Sequence, residues 1–325
     1  MPTNRKAAVV MITKIEINNF CIFKGKNVFY FDQNKPLTLV SSPRASGKTT
    51  IFNALIWCLY GAIPNVPSII NFETKNDTLI DEQITVSVAT TIQIAGETIV
   101  LERRADFRLF ENDLKKIAET TSVNLNQSCI LFDAIVNELF PREYLPCFLW
   151  DRAFTCLRKK NLYIDKYFEQ EDIKKVLSYA STLFNKIYFR KGQYKIVYEH
   201  ELKLKRIDCD IFDECLSEED NLFLFIAVAV AICRVMRKKH QNLCFPIMID
   251  DIISHLSEER AKILLDYLFA LSGPQILFLY HNKDNELLDQ IIDASQTVGF
   301  RYGLEPNMDW SSTSIKPISD EVELE

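Results

Sequence analysis

The stretch Ser41 to Thr50, SSPRASGKTT, sets a glycine, a lysine and two threonines in an order suited to holding phosphate. A phosphate-cradling loop runs G-x-x-x-x-G-K-[ST]; Gly47, Lys48 and Thr49 supply its second half, and Ser42 stands where the first glycine belongs. In such a loop Lys48 brings a point charge to the β- and γ-phosphates and the Thr49 hydroxyl reaches Mg2+. The backbone N–H groups of residues 45 to 49 point at the phosphates from a helix N-terminus. The candidate nucleotide contacts are Ser42, Arg44, Ala45, Ser46, Gly47, Lys48, Thr49 and Thr50.

Three further stretches follow in the order such chemistry needs. FPIMIDD, Phe245 to Asp251, is an apolar strand ending in two carboxylates, the form of a Walker B strand. Its first aspartate, Asp250, would position Mg2+ with Thr49, and the second, Asp251, would handle the attacking water. A core strand with two surface aspartates is the plain alternative. QILFLYHNKD is a second apolar strand, ending at His281, where a histidine reaches toward a γ-phosphate; a solvated strand-end side chain is the bland reading. In CLSEEDNLFLFIAVAVAIC, Ser217 precedes acids and a long apolar helix. That is an N-cap with Asp220 three residues after it, and equally the form of a signature segment 33 residues before Asp250. Both readings stay open.

The elements that must position these residues are legible from periodicity. TKIEINNFCIF and NVFYF alternate as strands, and PLTLV is a buried strand running straight into the loop. TTIFNALIWCLYG has apolar residues at helical spacing and Gly61 as its stop. Alternating segments from about Asp77 to Arg104 form an antiparallel lobe with a hairpin turn at AGE, and residues 111 to 140 read as helical. After a charged interval from Arg152 to Lys175, VLSYASTLFNKIYF is a helix and QYKIVYEHELKLKRI a strand pair. The polar, acidic end reads as a loose tail.

With these residues in place the chain resembles the head domain of the SMC, RecF, RecN and DndD class of ABC-type ATPases. ITKIEINNFCIFKGKNVFYF is similar to that family's first strands, GKTTIFNALIWCLYG to its first helix, and DDIISHLSEERAKILLDYL to its D-loop and following helix. LFPREYLPCFLWDRAF is similar to the segment holding the Q-loop, which places Asp151 toward the metal. The resemblance implies an α/β P-loop head with a mixed central sheet, an antiparallel β lobe and flanking helices, binding ATP and Mg2+. It divides the chain into an N-terminal lobe, 1–151, a short connection, 152–176, in place of the family's coiled coil, a C-terminal lobe, 177–305, and an acidic tail, 306–325. Metal ligands would be Thr49, Asp250 and Asp151; the catalytic set would be Asp251, His281 and Ser217.

Three positions depart from the family. Ser42 before Pro43 is pushed toward extended backbone and lacks glycine's freedom. Asp251 stands where glutamate is usual; a carboxylate retracted by one methylene is misplaced on the order of 1 Å, which can cost roughly 100-fold. Glu219 occupies the signature glycine, the point that meets a partner's γ-phosphate in the family. A carboxylate about 4 Å from a phosphate charge costs on the order of 4 kcal/mol at an effective dielectric near 20.

Composition narrows the classes. With 325 residues and 48% hydrophobic content the chain builds a full core, and the apolar run Leu222 to Cys233 is shorter than the roughly 20 residues a bilayer span needs. Nine cysteines without a C-x-x-C pair read as buried thiols rather than a disulfide or zinc framework, so a cytoplasmic protein without membrane partners is expected. Net charge −6 leaves room for local basic clusters such as Arg158-Lys159-Lys160.

Two functions therefore stand side by side. One is a nucleotide-dependent switch in DNA repair or antiviral defence, with DNA and a second head as partners and hydrolysis slow or partner-dependent. The other is a regulatory pseudo-ATPase that binds ATP without turnover and controls a nuclease or other effector. A transporter subunit is disfavoured by the 169 residues from Lys48 to Ser217, and a GTPase by Asn285, where an N-K-x-D reader needs aspartate.

Overall fold

The computed structural model describes residues 10–43, 46–63, 66, 68–94, 96–110, 113–124, 129–150, 164–188, 193–199, 202–213, 216–240, 243–269, 271, 275–281, 286, 298–308 and 311–318. In chain order the elements begin with β1 (Val10–Asn18), β2 (Lys26–Tyr30), β3 (Leu37–Ser42), α1 (Lys48–Tyr60) and α2 (Phe72–Asp77). There follow β4 (Gln83–Ile94), β5 (Glu97–Phe110), β6 (Asp113–Val123), α3 (Cys129–Leu139), α4 (Leu145–Phe148), β7 (Leu149–Trp150), α5 (Ile164–Tyr167) and α6 (Gln170–Ile187). The rest are β8 (Tyr194–Tyr198), β9 (Leu202–Arg206), α7 (Glu218–Lys239), β10 (Ile247–Asp250), α8 (Glu258–Phe269), β11 (Ile276–His281), β12 (Val298–Pro306) and β13 (Thr313–Pro317).

Two large sheets carry the molecule, and β8 and β9 pair separately as an antiparallel two-stranded sheet. One large sheet is antiparallel with order β2-β1-β4-β5-β6; the other has order β13-β12-β3-β11-β10-β7 and is parallel from β12 to β7. All six residues of β3 are buried, as a strand covered on both faces requires. Helix α1 lies between the sheets, against β4 and β5 of one and β10 of the other, and buries every side chain from Ala54 to Leu59 as well as Ile51 and Phe52. An apolar surface all round is what a helix enclosed by two sheets needs. Its end is fixed by Gly61, whose φ of 72° suits a left-handed cap and whose N–H bonds Trp57 O at 2.8 Å. The Arg103 guanidinium closes the same end, with Nε on Cys58 O at 3.1 Å and Nη2 on Leu59 O at 3.4 Å.

The N- and C-terminal parts are interleaved rather than stacked. β3 takes its place between β12 and β11, so the strand leading into the phosphate loop is paired on both sides by the chain's second half. A register shift in β1 between Ile12 and Lys14 frees the Ile12 peptide groups, and the buried Gln275 amide satisfies both, accepting from Ile12 N at 3.2 Å and donating to Ile12 O at 2.6 Å. The sheet lobe and the parallel sheet are thereby joined across 263 residues.

The segment 111–140 is corrected: residues 113–123 form strand β6 paired with β5, and the helix begins at Cys129. Residues 115–120 are all exposed, on both faces of this edge strand, so its polar composition does not alternate as a half-buried strand would and resembles a solvated helix. The acidic tail expected over 306–325 is not loose throughout, because 313–317 form β13 against β12. As an edge strand it buries Thr313 and leaves its other side chains in or near solvent, so its composition reads polar. Asp151, Arg44 and Ala45 lie outside the described residues. Cys58, Cys147, Cys233 and Cys244 are buried thiols, with burial raising Cys58 to about 11 and Cys147 to about 12, whereas Cys129 and Cys209 are exposed. No helix among the described residues is long and apolar enough to cross a membrane.

Candidate nucleotide site

The parallel strands end together. Ser42 on β3 is level with His281 on β11, and Asp250 on β10 with Leu279, so their carboxyl ends form one rim. Ligands of open α/β sheets bind outside this rim. The chain leaves β3 through Pro43 and enters α1 at Gly47, whose φ of 93° lies where a side chain is strained. A Cβ there would also stand 2.4 Å from Ile22 Cγ2, so the turn from loop to helix admits glycine alone. The loop is braced inside by the Ser46 hydroxyl, which donates to Pro43 O at 2.7 Å.

Lys48 turns back over the loop. Its ammonium donates to Ser42 Oγ at 2.9 Å, Pro43 O at 3.1 Å and Ser42 O at 3.3 Å, placing the charge in the concavity where β- and γ-phosphates sit in loops of this type. The Ser42 hydroxyl therefore has a role that a glycine could not fill. Thr49 Oγ1 donates to Asp250 Oδ2 at 2.6 Å, and Asp250 is only 8% exposed. A hydroxyl and a carboxylate from positions 201 residues apart thus meet at the start of α1. These hard oxygens fit Mg2+, which takes one or two protein ligands and completes its shell with phosphate and water. Among the described residues no group of three or more His, Cys, Asp or Glu could hold a metal by itself. Ser46 to Thr50 together with Ile22 line a cavity of about 270 Å3.

Asp251 follows in an unusual conformation. Its φ is 52°, left-handed for a non-glycine residue, while its N–H is fixed to Leu279 O at 3.0 Å and its carbonyl accepts from Ser254 Oγ at 3.3 Å. Its Oδ1 is buried and has no hydrogen-bond partner among the described residues. Strained backbone and an unsatisfied carboxylate oxygen at a strand end are features that cluster at functional sites.

Ser217 is set in different company. It is the N-cap of α7 in a reciprocal box, its Oγ accepting from Asp220 N at 3.1 Å and its N–H donating to Asp220 Oδ2 at 3.2 Å. Glu219 turns to α8, accepting from Ser257 N at 2.9 Å and pairing with Arg260 Nη1 at 2.7 Å, while Arg260 also meets the buried Asp220 at 3.1 Å. Arg260 was not among the residues singled out from sequence; an arginine three positions after Ser257 in an acidic helix start carries no pattern of its own. The structure thus brings Ser42, Ser46 to Thr50, Asp250 and His281 to one rim with Asp251 beside them, and it holds Ser217 in the junction of α7 and α8.

A buried strand delivering Gly-Lys-Thr to a helix start, in one sheet with a strand that ends in an aspartate bonded to that threonine, defines a P-loop nucleoside-triphosphatase head. The chain belongs to the AAA_23 family, described as an AAA domain, whose model matches residues 14–228. Its fold is that of SMC head domains. It is similar to the SMC head domain from Thermotoga maritima, with 14% identity, TM-score 0.61, and 95% of this chain and 99% of that one covered. An Smc head bound to the C-terminal winged-helix domain of ScpA matches with 16% identity, TM-score 0.64 and coverage of 96% and 98%. A third match is the Smc head domain with an extended coiled coil bound to the C-terminal domain of ScpA, derived from Pyrococcus furiosus, with 13% identity, TM-score 0.67 and coverage of 95% and 96%. Among curated proteins none matches the sequence.

Proposed function

We propose that the chain binds ATP with Mg2+ at the loop between β3 and α1 and acts as a nucleotide-dependent switch in DNA repair or defence, with hydrolysis slow or dependent on a partner. The observation that carries this reading is the 2.6 Å bond from Thr49 to Asp250, with the Lys48 ammonium held over the same loop. Bound Mg2+ would supply charge neutralisation between the β- and γ-phosphates. Lys48 would exchange its bonds to Ser42 and Pro43 for phosphate oxygens, Thr49 and Asp250 would hold the metal, and Asp251 would orient water. His281, level with Ser42, would stand at the γ-phosphate side. DNA, a second head and an effector such as a nuclease are the partners this reading expects in a cytoplasmic setting.

A second reading is the regulatory pseudo-ATPase, favoured by Glu219, which is already bonded within the chain to Ser257 and Arg260 where the family has a glycine. Calorimetric titration of ATP with Mg2+ into the wild-type chain and Lys48→Ala tests the shared claim: heat from the first and none from the second is expected, and no heat from the wild type refutes it. Steady-state phosphate release separates the two readings, since turnover abolished by both Lys48→Ala and Asp251→Asn excludes the inert form.

A further inference from the structure

The wall of the nucleotide cavity that faces Gly47 is Ile22, in the turn between β1 and β2. Most of that turn is held by the N-terminal half of the chain. Cys21 N bonds Ile69 O at 2.8 Å, Asn71 Nδ2 bonds Cys21 O at 2.9 Å, and Asn71 N bonds Asn19 O at 2.9 Å. Ile22 is the exception: its carbonyl accepts from Thr313 N at 2.9 Å, and Phe23 forms a bridge with the same Thr313. Thr313 is the first residue of β13 and is buried.

A second tie runs in parallel through side chains. Lys24, two residues after Ile22, pairs with Glu73 at 3.1 Å and Asp77 at 2.7 Å. The other oxygen of Glu73 accepts from Asn307 Nδ2 and from Ser311 Oγ. Asn307 closes the hairpin tip, bonding Ser312 O through its N–H and Ser312 N through its Oδ1. Three pieces of chain, the turn at 19–25, the start of α2 and the hairpin residues Asn307 and Ser311 to Thr313, are therefore locked in a ring. The hairpin also flanks the phosphate loop directly, because Gly303 of β12 pairs with Ser41 of β3.

We infer that the β12–β13 hairpin, through Thr313 and a clamp centred on Glu73, positions Ile22 against the phosphate loop and so sets affinity for the nucleotide. The inference rests on the nucleotide-binding reading above. Glu73 and Thr313 are positioning residues, acting on the cavity through Ile22. Coupling of this kind is reciprocal: a hairpin that favours the binding-competent wall is itself stabilised when the site is filled.

The test uses the full chain, with ATP and Mg2+ as probe. Glu73→Ala removes the acceptor shared by Asn307 and Ser311, and Glu73→Gln keeps an acceptor while losing the pair with Lys24. The dissociation constant is expected to rise at least about fivefold in Glu73→Ala, the lower end of usual coupling, and less in Glu73→Gln. Hydrogen exchange at the Thr313 amide is expected to slow on ATP addition in the wild type and not in Lys48→Ala. A purely structural role would instead lower thermal stability and leave the dissociation constant unchanged; that result overturns the inference while nucleotide binding stands. Unchanged exchange at Thr313 in the saturated wild type overturns it as well. No binding to the wild type removes the nucleotide reading and this inference together.

Discussion

Replacing Asp251 by glycine is expected to stabilise the chain while ending any turnover. Two unfavourable features meet at this residue: backbone at φ 52° and a buried Oδ1 with no hydrogen-bond partner among the described residues. Left-handed backbone at a non-glycine residue costs on the order of 1 kcal/mol. A buried oxygen left unsatisfied costs about 1–3 kcal/mol. Glycine relieves both and loses about 0.5–1 kcal/mol through the greater freedom of the unfolded chain. The bonds from Asp251 N to Leu279 O and from Ser254 Oγ to Asp251 O are made by main-chain atoms on the Asp251 side and survive the change. The net gain is about 2 kcal/mol, which for 325 residues raises the melting temperature by about 3 °C. Calorimetry or denaturant unfolding without nucleotide measures it directly. Asp251→Asn, which keeps a residue tolerant of this backbone region, should fall between the two. A loss of 1 kcal/mol or more in the glycine variant would refute the account of Asp251 as a strained, unsatisfied carboxylate.

Three other perturbations follow from the same geometry. Gly47→Ala puts a methyl group 2.4 Å from Ile22 Cγ2 at a φ of 93°; it should destabilise the chain by about 1–3 kcal/mol and weaken nucleotide binding, both read from a denaturation series with and without ATP. Gln275→Ala deletes two buried bonds to the Ile12 peptide groups and should lower stability by about 2–4 kcal/mol, with fast exchange of the Ile12 amide as its local signature. The Glu73 carboxyl is held down to about 2 from 4.5 by bonds from Ser311 and Ser312 and by Lys24. Because the folded value is the lower one, its contribution is complete above about pH 4.5 and is lost as pH falls toward 2; exchange at the hairpin tip should accelerate through that window in the wild type and stay level in Glu73→Gln.

The parts of the site that were legible in the sequence are those made by local order. PLTLV, Gly47-Lys48-Thr49 and the apolar run to Gly61 specify strand, turn and helix from neighbours alone, and FPIMIDD ends its strand where carboxylates belong. What escaped depends on long-range contacts. β6 was hidden because an edge strand alternates weakly, and its lysines and threonines fit a helix face as well as a sheet face. β13 was hidden because two inward residues, Thr313 and Ile315, give too short a pattern to separate a strand from a polar tail. The conformation of Asp251 has no sequence signature, since aspartate enters turns for many reasons. Ser42 stands where the loop pattern has glycine, and the bonds of its hydroxyl to Pro43 O and from the Lys48 ammonium depend on a loop conformation that its neighbours in sequence do not announce.

Glu219 shows how one carboxylate can tie two helix starts together. The start of a 22-residue helix favours an anion, through its unpaired amides and its dipole. In α7 that preference is met from within the chain, by the Asp220 carboxylate on Ser217 N and by Glu218 and Glu219 in the same first turn. Glu219 then reaches across to Ser257 N and Arg260, so the same carboxylate that loads the end of α7 also fixes the start of α8. An incoming phosphate at this point would meet a charge held in place on two sides, where a glycine would have offered open backbone. Release of Glu219 would have to break its pair with Arg260, an arginine only 13% exposed that also meets Asp220. The physical cost of admitting a second anion therefore lies in the α7–α8 junction as well as in direct repulsion.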